Sequence, residues 1–372
     1  MYKTVQTEKI GKLGFGFMRL PRKDGAFDIG QIIKMTDVFF ENGGTYFDAS
    51  YSYEGAEAAI CEAVVKRHPR GDFHLATKLP MDIVGSVEEM ERLFATSLER
   101  LGTDYIDFYL LQEITSRISR RAEVMGVWDC LTGLKAKGLI RHVGFSFHGT
   151  PEALEKILER HPEAEFAQLQ ISYLDWDDPD IQSRRMYEIA RKYNLPIIGM
   201  GPLKGGLLAS EASPGANLLR GADPHASIAS WALRFAAQLS SIFVTLSGMS
   251  SLEQMTDNIK TFTSMKTLSD SEIAILDKAV EVINAEPRID CKGCRHCTDD
   301  CPLDLRIPDL ISLYNDHLVH KTVTNLDDRY RWLTRDTGKA DDCAGCRVCE
   351  GNCRNKVKIA ETIQKIAALF EQ

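Results

Sequence analysis

The sequence predicts an α/β protein in which a (β/α)8 barrel is followed by a small helical domain. In the first part of the chain, short apolar β-type runs alternate with longer amphipathic runs of helical spacing. This order implies parallel strands joined by crossover helices. Near the C-terminus, eight of the ten cysteines crowd into two short stretches. We therefore expect two domains, residues 1–284 and residues 285–372, joined by a linker around Pro287.

Eight β-type runs lie along the first domain. Eight strand–helix units over about 280 residues fit a TIM barrel. The alternative is an open, doubly wound sheet, which requires a glycine-rich phosphate turn after its first strand. Gly11, Gly14 and Gly16 do not have that spacing. The eight runs cover residues 13–18, 45–47, 74–77, 105–111, 139–145, 166–171, 196–200 and 242–246.

Several predicted helices carry start signals. A serine followed three residues later by Glu or Gln has the spacing of a capping box. Thr150 before Pro151 is typical of an N-cap followed by proline in the first turn. In the second domain, residues 311–320 and 359–370 have helical apolar spacing. The capping-box pairs are Ser86 with Glu89, Ser251 with Gln254 and Ser269 with Glu272.

The cysteines of the second domain repeat the spacing C-x2-C-x2-C-x3-C, which is typical of proteins with two 4Fe–4S clusters. In that arrangement the fourth cysteine of each copy binds the other cluster. Zinc favours paired C-x2-C motifs, and disulfides favour small secreted domains. We therefore predict a dicluster ferredoxin-like domain. Its first cluster takes Cys291, Cys294, Cys297 and Cys353, and its second takes Cys343, Cys346, Cys349 and Cys301.

Composition and charge exclude several classes of function. The net charge of −8 comes without a basic run, so we expect no nucleic-acid partner. No stretch approaches the roughly 20 apolar residues that span a bilayer, and the N-terminus lacks the apolar core of a signal peptide. We therefore expect a cytoplasmic protein without a membrane partner. Cys61 and Cys130 lie in apolar stretches and are expected to be buried.

An aspartate, a tyrosine and a lysine follow neighbouring strands at the barrel end where chemistry takes place. Asp48 follows the second run, Tyr53 lies five residues further on, and Lys78 follows the third run. A lysine ammonium lowers the pKa of a nearby tyrosine from about 10, and an aspartate keeps the lysine charged. Tyr53 is then expected to donate a proton to a carbonyl oxygen while hydride reaches the carbon.

The order of these motifs resembles the aldo-keto reductase family. Asp48, Tyr53 and Glu57 are similar to its strand-two signature, and Lys78 is similar to its strand-three lysine. With the cysteine motifs added, the chain resembles the iron–sulfur branch of that family. The resemblance extends over nearly all of residues 1–265, with similar motifs at residues 104–111, 137–146, 202–206 and 247–258.

The resemblance implies a nicotinamide-dependent oxidoreductase in which Tyr53 is the acid. Lys78 then lowers the pKa of Tyr53, and Asp48 keeps Lys78 charged. It implies NADP(H) or NAD(H) as cofactor and a small molecule as substrate. The expected cofactor-binding residues are Ser146 and Gln168 at the carboxamide, Met200 at the nicotinamide face, Pro202, Leu203 and Gly206 in the strand-seven loop, and Ser247, Gly248, Met249, Gln254 and Asn258 around the adenosine.

One departure from the family pattern bears on the chemistry. Gln112 stands where the family has a catalytic histidine. A glutamine side chain can donate a hydrogen bond to a substrate carbonyl but cannot carry a proton. An activated C=C bond is therefore an alternative to a carbonyl as the reduced group, and His148 is a candidate substitute for the histidine.

A second departure bears on the choice of nucleotide. Gly248 and Gln254 stand where well-known members have basic residues that bind a 2′-phosphate. Neither supplies a positive charge, so the choice between NADP and NAD stays open. Arg234 and Lys260 are other sources of charge.

Hydride chemistry and cluster chemistry move electrons differently. Nicotinamide transfers two electrons together, a 4Fe–4S cluster takes one, and a flavin normally mediates between them. Loops after the seventh and eighth barrel strands can hold FMN, and a redox partner protein is a candidate. We predict a reductase of a carbonyl or activated C=C substrate with electron-transferring clusters. The alternative is an electron-transfer or scaffold protein on a retired reductase barrel, with structural or redox-sensing clusters.

Overall fold

A computed structural model describes residues 10–179, 181–291, 293, 295–298, 300–319, 326–353 and 355–371. The described residues form two compact units. The first contains residues 10–204 and 229–271, and the second contains residues 205–228 and 272–371. Each unit has its own apolar core.

The first unit contains a closed barrel of eight parallel strands, which confirms the predicted architecture. The strands in chain order are β1 (Leu13–Gly16), β2 (Arg22–Lys23), β3 (Ala26–Phe27), β4 (Tyr46–Asp48), β5 (His74–Leu79), β6 (Ile106–Ile114), β7 (Ile140–Phe147), β8 (Phe166–Gln170), β9 (Ile197–Met200) and β10 (Ile242–Gly248). Strands β2 and β3 form a separate antiparallel pair. The barrel closes where β1 pairs with both β10 and β4.

Apolar side chains cover both faces of the barrel strands, because helices enclose the outside of a parallel barrel. Inside, the ring of Phe108 contacts those of Tyr46 and Phe166, with centroids 5.2 and 5.3 Å apart. Alternate residues of a strand point to the same face, so Asp48 follows Tyr46 on the inner side. The interior is therefore packed, and polar side chains collect at the carboxyl ends of the strands.

Helices alternate with the barrel strands. They are α1 (Ile29–Glu41), α2 (Ala56–Ile60), α3 (Val87–Leu101), α4 (Ser116–Val124), α5 (Val127–Ala136), α6 (Pro151–Arg160), α7 (Ser183–Lys192), α8 (Ala216–Ala222), α9 (Ile228–Ala237), α10 (Leu252–Thr263) and α11 (Asp270–Asn284). Helix α6 begins at Pro151 after the predicted N-cap Thr150, and α11 begins immediately after Ser269. No described helix combines the length and the apolar character needed to cross a membrane.

Two predicted capping boxes cap their helices, with one difference. The Ser86 hydroxyl accepts a hydrogen bond from the Glu89 N–H, and the Ser251 hydroxyl accepts one from the Gln254 N–H, both at 3.3 Å. A capping box also predicts a return bond to the N–H of the capping serine itself. In α3 that bond is instead donated by Gly85, whose N–H lies 2.9 Å from Glu89 Oε2. The start of each helix is confirmed. In both helices the side chain of Glu89 or Gln254 accepts its bond from the N–H of the residue before the capping serine.

Cys61 and Cys130 are only half-buried, so the prediction that both are buried is wrong. Cys61 begins a π-helical turn, Cys61–Val65. Cys130 lies on α5 at the margin of the barrel core. A residue at the edge of an amphipathic helix keeps one side in solvent even when its neighbours in sequence are apolar.

The second unit builds its core from helices. They are α12 (Ile307–Val319), α13 (Leu326–Leu333), α14 (Val348–Asn352) and α15 (Ile359–Phe370). Helix α15 has the predicted bounds, whereas α12 begins before the predicted residue 311. Pro308 lies in its first turn, where a missing N–H costs no hydrogen bond. Residue 320, the predicted end of this helix, lies outside the described residues. Tyr330 stacks on Phe370 with centroids 4.9 Å apart.

Glu165 joins the beginning of β8 to β7. Its carboxylate accepts hydrogen bonds from Lys135 Nζ at 2.5 Å and from the Val143 N–H at 3.0 Å, and it lies 3.4 Å from His142 Nδ1. Burial opposes ionisation of Glu165, but His142, Lys135 and the Val143 N–H outweigh burial and lower its pKa to about 2. The ionised form is thus strongly preferred in the folded protein.

A Glu165→Gln variant is expected to lose about 2–3 kcal/mol of unfolding free energy near pH 7. An unfolded glutamate has a pKa of about 4.3, above the folded value, so the carboxylate stabilises the fold above that pH. The stabilisation is lost as the pH falls toward 2. Urea denaturation across this range measures the effect, with the exposed Glu188→Gln variant as control. A loss that does not vary with pH contradicts the ionic origin.

Candidate active site and cluster sites

Asp48 and Lys78 form a buried ion pair at the carboxyl end of the barrel. Their strands are adjacent, with Asp48 paired in register with Ala76, so the inward residue after Ala76 lies beside the aspartate. Lys78 Nζ lies 2.5 Å from Asp48 Oδ1 and also donates to the Ala49 carbonyl oxygen at 2.5 Å. Only 4% of Asp48 and 2% of Lys78 is exposed. The pair is therefore held away from bulk solvent.

Tyr53 lies beside this pair, in the loop between β4 and α2. The Tyr53 N–H donates to the Ser50 carbonyl oxygen at 3.0 Å, and Gly55 takes a left-handed φ of +75° before the helix begins. This turn brings the Tyr53 ring centroid to 5.1 Å from Lys78 Nζ. The structure thus brings together the three residues that the sequence predicts as a proton relay: Asp48, Tyr53 and Lys78.

The electrostatics of the relay differ from the predicted balance. Burial raises the pKa of Tyr53, the Lys78 charge acts in the opposite direction, and burial prevails. The net direction is therefore opposite to the predicted one. Burial also opposes the charge on Lys78, but Asp48, Tyr53 and Glu57 outweigh it and raise the lysine pKa. Lys78 stays protonated, and Tyr53 keeps its proton over a wide pH range.

Glu57 is a buried carboxylate beside the relay whose contacts the sequence does not reveal. It lies on α2, is 2% exposed, and accepts a hydrogen bond from Thr77 Oγ1 at 2.7 Å. Arg100 lies 3.5 Å from its other oxygen. The sequence marks Glu57 only as part of a motif, because its partners lie on β5 and α3.

Gln112 lies on β6 and faces the loop that carries Tyr53. Its Oε1 accepts hydrogen bonds from the hydroxyls of Ser50 and, at 3.3 Å, Ser52. Its amide nitrogen has no hydrogen-bond partner within the described part of the chain, so the N–H groups are available as donors. The two serines were not predicted as site residues, since nothing in the sequence links them to a glutamine on another strand.

The role of His148 as a substitute for the family's histidine stays a prediction. His148 follows β7 and is exposed. Its backbone N–H donates to the Ile114 carbonyl oxygen at 3.0 Å. Among the described residues no hydrogen bond joins its imidazole to Gln112 or Tyr53.

Ser146 and Gln168, the predicted carboxamide residues, lie at the same end of the barrel. They are register partners on β7 and β8, and both are buried. Gln168 Nε2 donates to Asp48 Oδ2 at 3.3 Å, which connects this pair to the ion pair. Met200 ends β9 and is half-buried. The structure therefore groups Ser146 and Gln168 with the proton relay.

The predicted loop after β9 spans the boundary between the two compact units. Pro202 and Leu203 belong to the first unit and Gly206 belongs to the second. In the first unit, Lys204 pairs with the buried Asp175 at 2.9 Å. In the second, Gly206 has a φ of +110°, which favours glycine.

The predicted adenosine-side residues lie at the end of β10 and on α10. Asn258 Nδ2 donates to Ser247 Oγ at 2.8 Å, so these two residues hold each other. Met249 is fully buried in the core. Gln254 Oε1 accepts the Ser250 N–H at 2.8 Å. The last residue of the strand is Gly248.

Arg19 is a positive residue near this region that the sequence did not single out. A Cβ built on Gly248 would lie 3.8 Å from Arg19 Cβ, and the Ser250 hydroxyl donates to the Arg19 carbonyl oxygen at 2.6 Å. Of the two predicted sources of charge, Arg234 donates its Nε–H to the Lys266 carbonyl oxygen at 2.9 Å, and Lys260 lies exposed on α10.

Three cysteines predicted for the first cluster line one pocket in the second unit. Cys291 and Cys297 come from the first motif and Cys353 from the second. Cys294 lies outside the described residues. The pocket thus brings together cysteines from both motifs. Its other walls are apolar at Pro308, Ile311, Val357 and Ile359 and polar at Asp290, Arg295, Asn352 and Asn355.

The cysteines predicted for the second cluster also approach across the motifs. Burial raises the pKa of Cys349 to about 11, and charges on Cys343 and Cys301 act in the same direction. Cys301, from the first motif, therefore lies within electrostatic reach of two second-motif thiols. Cys346 is exposed. A bound metal deprotonates its thiol ligands, so these groups suit a cluster despite the raised pKa.

The two cysteine motifs share a backbone conformation as well as a spacing. Gly293 and Gly345 both have φ of +66°, while Arg295 and Arg347 have φ of +64° and +60°. Left-handed residues within such loops turn successive N–H groups toward a common point, a nest that suits the sulfur atoms of a cluster. Among the described residues no three Cys, His, Asp or Glu side chains are arranged to hold a single metal ion.

Comparison with known families agrees with this arrangement. Residues 12–281 match the aldo/keto reductase family, and residues 290–358 match a 4Fe–4S dicluster domain. The chain belongs to the aldo/keto reductase family, which makes it an oxidoreductase by family, and it carries a 4Fe–4S dicluster domain. The predicted resemblance to the iron–sulfur branch is confirmed.

Curated relatives resemble the chain over part of its length. Aldo-keto reductase str7 of Strobilurus tenacellus is 29% identical over 225 residues, which are 56% of this chain and 64% of that protein. L-galactose dehydrogenase of Arabidopsis thaliana is 25% identical over 280 residues, 70% of this chain and 86% of that protein. For a reductase of Mycolicibacterium vanbaalenii and one of Glycine max, the chain spans 38% and 60% of the relative's length.

Solved structures share the fold. The holo form of aldo-keto reductase AKR11C1 from Bacillus halodurans has a TM-score of 0.60 at 23% identity, over 75% of this chain and 96% of that chain. An aldo-keto reductase from Klebsiella pneumoniae, in complex with NADPH, has a TM-score of 0.59 at 22% identity, over 72% of this chain and 90% of that chain.

Proposed function

We propose that the protein is a nicotinamide-dependent oxidoreductase that reduces a carbonyl or an activated C=C bond of a small molecule. The observation that carries this proposal is the buried Asp48–Lys78 ion pair at 2.5 Å, with the Tyr53 ring 5.1 Å from the ammonium. Tyr53 donates the proton to the substrate, Lys78 stabilises the resulting phenolate, and Asp48 keeps Lys78 charged and oriented.

NADP(H) or NAD(H) is the proposed cofactor, and when bound it supplies the hydride. Support comes from Ser146 and Gln168, which lie beside the relay with polar atoms that have no partner within the described residues. The related fold from Klebsiella pneumoniae was solved with NADPH. The proposed further cofactor-binding residues are Met200, Pro202, Leu203, Gly206, Ser247, Gly248, Met249, Gln254 and Asn258.

Gln112 defines the substrate side of the proposal. Its oxygen is held by Ser50 and Ser52, so its N–H groups donate to a substrate oxygen without transferring a proton. Proton transfer then rests on Tyr53 alone. This division suits a carbonyl substrate, and it suits an unsaturated carbonyl whose C=C bond accepts hydride while its oxygen is held by the amide.

We propose two 4Fe–4S clusters with the crossed ligand sets, in a domain of residues 285–372 that follows a barrel of residues 1–284. When bound, each cluster accepts one electron at a time. The chain's cysteines hold the clusters, and electrons pass to or from a redox partner protein. If the nicotinamide and the clusters exchange electrons, FMN is the proposed mediator between two-electron and one-electron transfer.

A second candidate function is electron transfer or scaffolding on a barrel that has lost its chemistry. The observation that favours it is Gln112, which replaces a proton-carrying histidine and has its oxygen committed to two serines. It predicts reducible clusters without hydride chemistry.

Nucleotide titration of anaerobically reconstituted protein tests these candidates. We expect NADPH or NADH to bind, and Gln168→Ala to weaken binding about tenfold because it removes a carboxamide contact. Gln31→Ala on the outer helix α1 is the matched control and should leave affinity unchanged. Bleaching of the cluster absorption by either nucleotide shows electron transfer between cofactors. Absence of binding at millimolar nucleotide contradicts the oxidoreductase proposal and favours the second candidate.

A further inference from the structure

A single extra residue interrupts the pairing of β6 with β7 at the mouth of the barrel. Leu111 pairs with Phe145, but the next paired residues are Ile114 and Phe147. Three steps along β6 therefore match two steps along β7, which is a β-bulge. Bulges next to active sites redirect side chains, and this one contains Gln112 and Glu113.

Glu113 has the backbone conformation that creates the bulge. Its φ is +54°, in the left-handed region that non-glycine residues seldom adopt. Such conformations persist where surrounding structure holds them, and they occur often at functional sites. The Glu113 side chain is exposed, and its backbone lies within the bulge.

The backbone of Glu113 makes a hydrogen bond to a predicted cofactor-binding residue. The Glu113 N–H donates to Ser146 Oγ at 2.9 Å, and Ser146 is 3% exposed. A hydroxyl that accepts a hydrogen bond from a fixed N–H keeps its own proton for another acceptor. Within the described residues that proton has no acceptor. Ser146 is therefore oriented as a donor toward the end of the barrel.

Gln168, the register partner of Ser146, is oriented in the opposite sense. Its Nε2 donates to Asp48 Oδ2 at 3.3 Å, which leaves Oε1 as an acceptor. The two neighbouring side chains thus present one donor and one acceptor side by side. A primary carboxamide carries the complementary pair, a carbonyl oxygen and an NH2 group.

We infer that Glu113 is a positioning residue for the nicotinamide carboxamide, and that it acts through its backbone N–H on Ser146. The bulge fixes the Ser146 hydroxyl as a donor to the carboxamide oxygen, and Gln168 accepts from the carboxamide NH2. The inference rests on the proposed function, since it specifies how the proposed nucleotide is held. Without the bulge, the Glu113 N–H would be directed elsewhere and the hydroxyl would be free to rotate.

Substitutions at residue 113 separate the N–H from the side chain. Glu113→Pro removes the N–H, and Glu113→Val keeps it but resists the left-handed conformation, which a β-branched residue rarely adopts. Glu113→Gly keeps both the N–H and the conformation, and Glu113→Gln removes only the charge. Thermal unfolding followed by circular dichroism identifies folded variants, and Glu113→Val supplies the comparison in the case that the proline variant does not fold.

Dissociation constants are measured for NADPH, NADH and the fragments that end at ADP-ribose or its 2′-phosphate. We expect the proline and valine variants to bind the intact nucleotide about tenfold more weakly, with unchanged affinity for the fragments that lack nicotinamide. The glycine and glutamine variants should stay within about twofold of the wild type. A change in overall structure would weaken the fragments as well.

A double-mutant cycle with Ser146→Ala tests the route of the effect. Because Glu113 acts through Ser146, the double variant should bind no more weakly than Ser146→Ala alone. Additive losses overturn the inference, as does wild-type affinity in folded Glu113→Pro and Glu113→Val. A wild-type protein that binds neither nucleotide overturns the proposed function together with this inference, whereas normal wild-type binding with unaffected variants overturns the inference alone.

Discussion

Tyr53→Phe is expected to lower the turnover number by about 100- to 10,000-fold, the usual contribution of a positioned general acid. The phenyl ring fills the same space beside Lys78, so nucleotide affinity should stay near that of the wild type. The loss then belongs to proton transfer. Because the Gln112 amide cannot carry a proton, no residue of the described relay replaces the missing hydroxyl.

The matched control is Tyr51→Phe, two residues earlier in the same loop. Its ring stacks against the Arg100 guanidinium at 4.3 Å, not against Lys78, and its hydroxyl has no part in the proposed chemistry. Both variants are assayed with NADPH and NADH against aldehydes, ketones and unsaturated carbonyl compounds. Turnover that survives in Tyr53→Phe, or an equal loss in Tyr51→Phe, contradicts the assignment of Tyr53 as the acid.

The pH profile gives a second test of the same residue. Burial raises the pKa of Tyr53, and its protonated form is the active one in the direction of reduction. The rate of reduction should therefore stay level through neutrality and fall only at alkaline pH, as the phenol loses its proton. Residual activity of Tyr53→Phe should lack that alkaline fall. A wild-type rate that falls between about pH 6 and 8 points to a histidine instead.

The barrel and the ion pair are predictable from the sequence because they follow from local periodicity. Apolar runs with the period of a strand alternate with runs with the period of a helix, and this order implies parallel strands. Parallel strands bring their carboxyl ends to one edge. Asp48 and Lys78 each follow a run, so their meeting at 2.5 Å needs no long-range information beyond strand order. The crossed cysteine sets stay a prediction, which rests on the spacing of the two motifs.

Other features of the site depend on contacts that no local pattern carries. The bulge at Glu113 adds one residue to a strand that otherwise continues, and only the register with β7 reveals it. Ser50 and Ser52 contact a glutamine from another strand. The pKa of Tyr53 depends on the balance between burial and a neighbouring charge, and sequence gives the sign of the charge without the extent of burial.

Paired cysteine substitutions are expected to distinguish crossed from uncrossed cluster ligation. With crossed ligation, Cys291 and Cys353 serve one cluster while Cys301 and Cys343 serve the other. A Cys291→Ala/Cys353→Ala variant should then lose one cluster and retain about four of about eight iron atoms per chain. A Cys291→Ala/Cys301→Ala variant, with both changes in one motif, should lose both clusters.

The physical reason is that each cluster needs its full set of thiolates, and that cluster binding also stabilises the small domain that supplies them. In the structure, Cys291, Cys297 and Cys353 line one pocket, and Val357 donates its N–H to Cys353 Sγ at 3.4 Å. The Cys291→Ala/Cys353→Ala variant therefore removes two ligands from the same cluster and leaves the other cluster with its full set. The Cys291→Ala/Cys301→Ala variant removes one ligand from each cluster.

Iron and sulfide content and the electron paramagnetic resonance of the reduced protein measure the outcome after anaerobic reconstitution. Cys130→Ala is the control, because that half-buried cysteine lies on α5 of the barrel, and it should retain both clusters. Uncrossed ligation predicts the reverse pattern: the Cys291/Cys301 double variant keeps one cluster and the Cys291/Cys353 double variant loses both. That reverse pattern would contradict the pocket geometry as well as the ligand assignment, since Cys353 would then belong to a cluster elsewhere.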